Sequence, residues 1–190
     1  KLLDDIIKLF DKKKVDYASN NNPPTFPDGL DLEIFTFKSL RKAWINSKEN
    51  SEKTLKKAWE VGINHWDTAD VYGNGKSETI IGSSWNKIPR NDIFIATKFG
   101  WDRGPYKEWY NPKHIKKNFE RSLRNLKVDC IDLLYLHHCS FGKNDELLDD
   151  AMSTIRQFQA EGKVRFLGLS DWSSKKILEY IKICRPDVIQ

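Results

Sequence analysis

The chain has 190 residues, 39% hydrophobic and 31% charged, with 32 Lys and Arg against 27 Asp and Glu for a net charge of +5. That length buries one good core, and no apolar run approaches the ~20 residues of a membrane helix. The basic excess lies wholly beyond residue 52, with no basic stripe interleaved with aromatics, so neither a membrane anchor nor a nucleic-acid partner is expected.

In chain order, Leu3, Ile6, Ile7 and Phe10 recur at helical spacing and predict an amphipathic helix over 2–14. Asn20-Asn21-Asn22-Pro23-Pro24 and Pro27-Asp28-Gly29 are turn signals. Leu32 to Phe37 reads as a short strand and Ser39 to Asn46 as a helix. From residue 51 a regular alternation takes over. A helix over 51–61 packs through Leu55, Ala58 and Trp59, followed by a strand at 62–67 and a helix at 77–86. Ile93 to Thr97 reads as a buried strand. Asn111 caps the next helix with Pro112 at its first position, and Ile115, Phe119, Leu123 and Leu126 form its stripe. A strand at 131–137 precedes a helix around Leu148, Met152, Ile155 and Phe158, ended by Gly162. A strand at 164–170, a helix at 173–183 and the stub Asp187-Val188-Ile189-Gln190 complete the chain.

Strand then helix, repeated, predicts a parallel sheet with right-handed crossovers. A closed eight-stranded barrel needs ~250 residues, so a barrel would lack roughly three strand-helix units here. An open doubly wound sheet needs no extra length, and periodicity admits both. No signal peptide is read at Lys1-Leu2-Leu3-Asp4-Asp5. Cys130, Cys139 and Cys184 are odd in number and lack a Cys-x-x-Cys spacing, which argues against a disulfide framework or a metal site and favours a reducing cytoplasm.

Four residues at or just beyond strand ends carry chemistry: Asp67, Tyr72, Lys98 and His137. A phenol is a poor acid at neutral pH. A neighbouring ammonium stabilises its conjugate base, and a carboxylate keeps that ammonium charged in a dry site. An imidazole can hydrogen-bond the same substrate oxygen. The set describes a general acid that protonates a carbonyl oxygen while hydride arrives at carbon. Trp101, Trp109 and Tyr110, in the loop after Lys98, are candidates for an apolar substrate pocket.

The motifs Gly62-Ile63-Asn64-x-x-Asp67-Thr68-Ala69-Asp70-x-Tyr72-Gly73, Gly75-Lys76-Ser77-Glu78 with Ile81-Gly82, Ala96-Thr97-Lys98, Ser122-Leu123 with Leu126, and Asp132 to His137 occur in this order. With Gly162 to Ser170 and Pro186 to Gln190, they make residues ~53–190 resemble the aldo-keto reductase family. The resemblance implies the (β/α)₈ TIM barrel, truncated by its first strand and its last strand-helix units. It also implies reversible NADPH-dependent reduction of an aldehyde or ketone. By it, Tyr72 is the general acid, Asp67 and Lys98 tune it, and His137 orients the carbonyl. Ser170, Asp171 and Gln190 then hold the nicotinamide carboxamide, with Asp171 standing where that family usually has Asn. The strands that bind the pyrophosphate and 2′-phosphate in that family lie beyond Gln190. Gly73-Asn74-Gly75 is neither a dinucleotide fingerprint nor a P-loop. The expected partner is a small carbonyl substrate, and an open barrel is also expected to self-associate. The alternative is a cofactor-binding regulatory protein on the same fold, or an inactive truncated product. Val15 to Asn21 and Pro27 to Phe35 resemble a spore-coat polysaccharide cytidylyltransferase, which makes residues 1–52 a nucleotidyltransferase-like remnant. Asp28, Asp31 and Glu33 are its candidate site remnants, and the junction falls near Ser51–Lys53.

Overall fold

In a computed structural model of the chain, the structure describes residues 7–8, 11–14, 17–19, 33–35, 38 and 51–190. The chain divides into two units, Lys1–Ser51 and Glu52–Gln190. In the first, residues 7–8 and 11–13 are helical, within the amphipathic segment predicted over 2–14. Strands β1 (Tyr17–Ser19) and β2 (Glu33–Phe35) pair antiparallel, with Ala18 opposite Ile34. The predicted turns at 20–29 and helix at 39–46 lie outside the described residues.

The second unit is built on five parallel strands, β3 (His65–Asp67), β4 (Phe94–Phe99), β5 (Ile131–Leu136), β6 (Val164–Leu169) and β7 (Val188–Ile189). Their spatial order equals their sequence order. A doubly wound sheet reverses its order at a switch point, whereas an unbroken sequential order is that of a barrel wall. The second unit is therefore a parallel-strand half-barrel.

Its helices are residues 51–60 (α1), Lys76–Ser83 (α2), Pro112–Leu126 (α3), Leu148–Ala160 (α4) and Ser174–Cys184 (α5). The capped start of α3 is as predicted: the Asn111 side chain accepts from Lys113 N at 3.1 Å, with Pro112 beside it. The Ser173 side chain caps α5 in the same way. Strand β3 begins at His65 rather than 62 because residues 62–63 close α1. Gly62, at φ +83°, donates to Trp59 O at 2.9 Å, and Ile63 donates to Ala58 O at 2.9 Å. The helix predicted over 77–86 ends at Ser83 and tightens into a 3₁₀ turn at Ser84–Asn86. There the Ser83 and Ser84 hydroxyls donate back to the Ile80 and Ile81 carbonyls at 2.8 and 2.6 Å and compete with the helical ladder.

The main core lies between sheet and helices, with Ile95, Ile131, Leu134, Leu136, Leu167 and Leu169 meeting the helix stripes. Within it, Phe119 of α3 stacks on Phe158 of α4 at 4.0 Å between ring centroids. Ala96, Leu133 and Tyr135, with Phe94 packed against them, form a separate cluster on the opposite, barrel-interior face. Side chains alternate along a strand, so Lys98 falls on that interior face, two residues beyond Ala96 and in register with Tyr135.

The lower end of this sheet is fastened by one carboxylate. Asp132 Oδ2 accepts from Ile95 N at 2.9 Å and from Arg90 Nη2 at 2.8 Å, while Oδ1 accepts from Arg165 Nη1 at 2.8 Å. Burial works against its charge, but the Ile95 N–H and the two guanidinium groups outweigh it and hold the carboxyl below the ordinary range. Asp132→Asn is expected to destabilise the chain by about 2 kcal/mol at pH 7, measured by urea unfolding. A depressed native pKa gives stability that is present above the unfolded value and lost as pH falls through the native one. The gap between wild type and variant therefore closes in acid.

Candidate active site

The end of β3 carries the first candidate, and the following loop continues the parallel pairing. Thr68 N donates to Ala96 O at 2.9 Å and Asp70 N to Lys98 O at 3.0 Å. Tyr72 N then donates to Ala69 O at 3.1 Å. Gly73, Asn74 and Gly75, at φ +57°, +54° and +82°, turn the chain into α2. This turn leaves Tyr72 at a cavity mouth, 43% exposed.

Lys98 is 3% exposed, and its Nζ donates to the Asp67 carboxylate and to Thr68 O, the latter at 3.0 Å. A buried ammonium needs such partners. The same Nζ lies 5.3 Å from the Tyr72 ring centroid and 5.8 Å from that of Tyr135. His137 follows β5, held by its N–H to Phe99 O at 3.0 Å. Its ring stands edge-on to Tyr72 with centroids 6.0 Å apart. Burial, then the charge of Lys98, pushes the His137 pKa down to about 4, so the imidazole is neutral at physiological pH. Its Nδ1 is buried with no hydrogen-bond partner among the described residues. The structure thus brings Asp67, Tyr72, Lys98 and His137 into one site, as the sequence reading expects.

The site opens into a cavity of about 390 Å³, walled by Tyr72, Trp101, Trp109, His137, Trp172 and Lys176 among others. Trp101 and Trp109 stack at 6.3 Å. Tyr110, also expected in the pocket, is fully buried instead. Its hydroxyl donates to His138 O at 2.6 Å, which turns the ring into the core against Phe141.

Ser170 follows β6 and is buried; its hydroxyl has no hydrogen bond among the described residues. Gln190 Nε2 donates to Asp67 Oδ2 at 3.2 Å. Asp171 is anchored to backbone on both sides. One carboxylate oxygen accepts from Cys139 N and the other from Ser173 N, each at 2.8 Å. Both oxygens thus help tie the loop after β5 to the start of α5.

Two buried ionisable groups beside the site were not singled out by the sequence reading. His138 packs between Trp101, Trp109 and Tyr110, with ring centroids at 5.0, 4.6 and 5.0 Å. Its Nδ1 accepts from Ser140 N at 3.1 Å, so Nε2 carries the proton and donates to Gly100 O at 2.7 Å. Only its place beside His137 hinted at it. Asp70 is fully buried under the Tyr72 loop. Its Oδ2 accepts from Asn118 Nδ2 at 3.3 Å and faces Arg121 Nη2 at 3.7 Å, while Oδ1 has no partner among the described residues. Burial, then the neighbouring Glu78, raises the Asp70 pKa to about 7. Its place inside the Asp67–Tyr72 motif was the available signal.

Comparison with known proteins places this geometry. An aldo-keto reductase of Schizosaccharomyces pombe, named for NADP(+), is 34% identical over 137 residues, spanning 70% of this chain and 39% of that protein. An uncharacterized oxidoreductase of Bacillus subtilis is 36% identical over 139 residues, spanning 71% of this chain and 44% of its own length. Among solved structures, the holo form of an aldo-keto reductase from Bacillus halodurans matches with a TM-score of 0.62 at 32% identity. That match covers 75% of this chain and 49% of that one. The chain thus spans less than half the length of these relatives. The Aldo/keto reductase family model matches residues 36–190, so its match begins ahead of the junction expected near Ser51–Lys53. With that match over most of its length, the chain belongs to the aldo/keto reductase family.

Proposed function

We propose that this chain carries the proton-transfer centre of an NADPH-dependent reductase of aldehydes or ketones, with Tyr72 as the general acid. One observation carries the reading: a buried Lys98, bonded to Asp67, lies 5.3 Å from the ring of Tyr72, whose other neighbour is a neutral His137. When bound, the dinucleotide supplies the hydride. The residues present fit its carboxamide end. The Ser170 hydroxyl is uncommitted among the described residues, the Gln190 amide reaches Asp67, and the Asp171 carboxylate is anchored by two backbone N–H groups.

The carbonyl oxygen is received between the Tyr72 hydroxyl and the His137 imidazole. Tyr72 gives its proton to that oxygen as the carbonyl is reduced, leaving a phenolate that the Lys98 ammonium stabilises. Asp67 keeps the ammonium charged where little water reaches it. His137, being neutral, orients the oxygen by a hydrogen bond without competing for the proton.

Residues 1–52 are read as the cytidylyltransferase-like remnant on their motifs alone, and the family match from residue 36 overlaps the end of that segment. The cytoplasm is the compartment that three free cysteines favour. Among the described residues no helix is long and apolar enough to cross a membrane. Strands β3 and β7, at the two ends of the sheet order, are the surfaces through which the chain self-associates.

The test is an NADPH titration of the purified chain by tryptophan fluorescence, followed by 340 nm absorbance after adding a reactive aldehyde. Saturable quenching with aldehyde-dependent NADPH consumption is expected. Tight binding without consumption would favour the regulatory alternative instead.

A further inference from the structure

The cavity in front of Tyr72 holds one ammonium, Lys176, and one carboxylate, Asp171, in its wall, and the two are held differently. Its wall is largely aromatic: Trp101 contacts His137 at 5.6 Å and Trp172 at 5.7 Å between ring centroids. Four other ionisable side chains on that wall matter. Burial first lowers the pKa of both histidines, His137 and His138, so neither carries a charge at neutral pH. The Asp171 carboxylate lines the cavity, but each of its oxygens already accepts a backbone N–H.

Lys176 is the remaining one. It lies in the first turn of α5, half-buried, and its Nζ donates to Ser140 Oγ at 2.9 Å. Among the described residues no carboxylate lies within ion-pair distance of it. An ammonium has three N–H donors, of which one is given to Ser140, and Lys176 lines the cavity. Ser140 positions the group without neutralising it. Behind the aromatic wall, the Arg103 guanidinium sits 4.1 Å from the Trp109 ring centroid and adds a second positive charge. A half-buried ammonium, fixed by a neutral hydroxyl beside an aromatic slot, is a receptor for an anion carried on a planar apolar body.

We propose that Lys176 is a specificity-determining anion anchor, and that the substrate class is an aromatic aldehyde or ketone bearing a carboxylate. This deepens the reductase reading of Tyr72 and His137 and rests on it for the word substrate. Tyr72 and His137 receive the carbonyl, the tryptophans hold the ring, and Lys176 pairs with the carboxylate.

The test uses the full chain, with 4-carboxybenzaldehyde and its methyl ester as a pair differing in one charge. Calorimetric titration is expected to show the acid binding at least ~10-fold more tightly than the ester, with that advantage shrinking at high salt. Lys176→Met is expected to weaken the acid ~10-fold more than the ester, and Lys176→Arg to keep most of the preference. Thermal melts confirm that both variants fold. Equal affinity for acid and ester in the wild type, no binding of either, or a preference that survives Lys176→Met overturns the anchor. NADPH consumption separates the two readings. Reduction of both aldehydes without preference sinks the anchor alone. Acid-selective binding that depends on Lys176, with neither aldehyde reduced, leaves the anchor standing and sinks the reductase.

Discussion

Replacing Tyr72 by Phe is expected to lower kcat for aldehyde reduction by at least ~10²–10⁴-fold, the usual contribution of a positioned general acid. The change removes one oxygen and leaves the ring in place. Tyr72 is fixed by its backbone, through its N–H donated to Ala69 O and its carbonyl, which accepts from Ser77 N at 3.3 Å, so the turn into α2 does not depend on the hydroxyl. The ring stays edge-on to His137 and beneath the Lys98 charge. The affinity for NADPH and the melting temperature should therefore stay close to wild type while turnover collapses. A Phe variant that reduces aldehydes at the wild-type rate would place the acid elsewhere. His137→Gln is a useful companion, since an amide can still donate to the carbonyl oxygen. It should retain far more turnover than Tyr72→Phe if the imidazole orients substrate and does not supply the proton.

The second large effect concerns Asp70 and the pH dependence of stability. A carboxyl whose pKa rises from 3.8 unfolded to about 7 folded binds its proton more tightly in the native state. Its contribution is fully present below the unfolded value and is lost as pH rises through the native one. Between about pH 4 and pH 7 the wild type should therefore lose stability, on the order of 4 kcal/mol if no other group compensates. Asp70→Asn, which keeps the shape and cannot ionise, should flatten that slope and be the more stable form at pH 8. Urea unfolding of both proteins at pH 5 and pH 8 decides it. Parallel slopes would mean that Arg121 and Asn118 already neutralise the carboxylate. The effect reaches the active site by a short route, because the Asp70 N–H is bonded to the carbonyl of Lys98.

The alternation of strands and helices was legible because apolar residues recur at the right periods, as in α3, where Ile115, Phe119, Leu123 and Leu126 are all buried. The choice between barrel and doubly wound sheet was not. It depends on the spatial order of strands, which periodicity does not encode and the sequential sheet supplies. The grouping of Asp67, Tyr72, Lys98 and His137 was legible because a phenol, an ammonium, an acid and an imidazole at successive strand ends of a parallel sheet come together on one side of it. Tyr110 and Asp171 show where such reading stops. An aromatic ring and a carboxylate in active-site loops look alike whether they face a ligand or tie the loop to its own backbone, as both do here. Asp70 could be noticed from its place in the Asp67–Tyr72 motif, but its burial could not, because that comes from the packing of Asn118 and Arg121 of α3 against it.

The Asp132 clamp has a consequence for how new substrates are acquired. By gripping β4, β5 and β6 near their first residues, it sets the register of three strands from the floor of the barrel. The segments at the other rim, including the tryptophan-bearing stretch 101–109 but not the core residue Tyr110, carry none of that duty. They are free to be lengthened, swapped or rewritten as interchangeable fittings while the chassis beneath keeps its alignment.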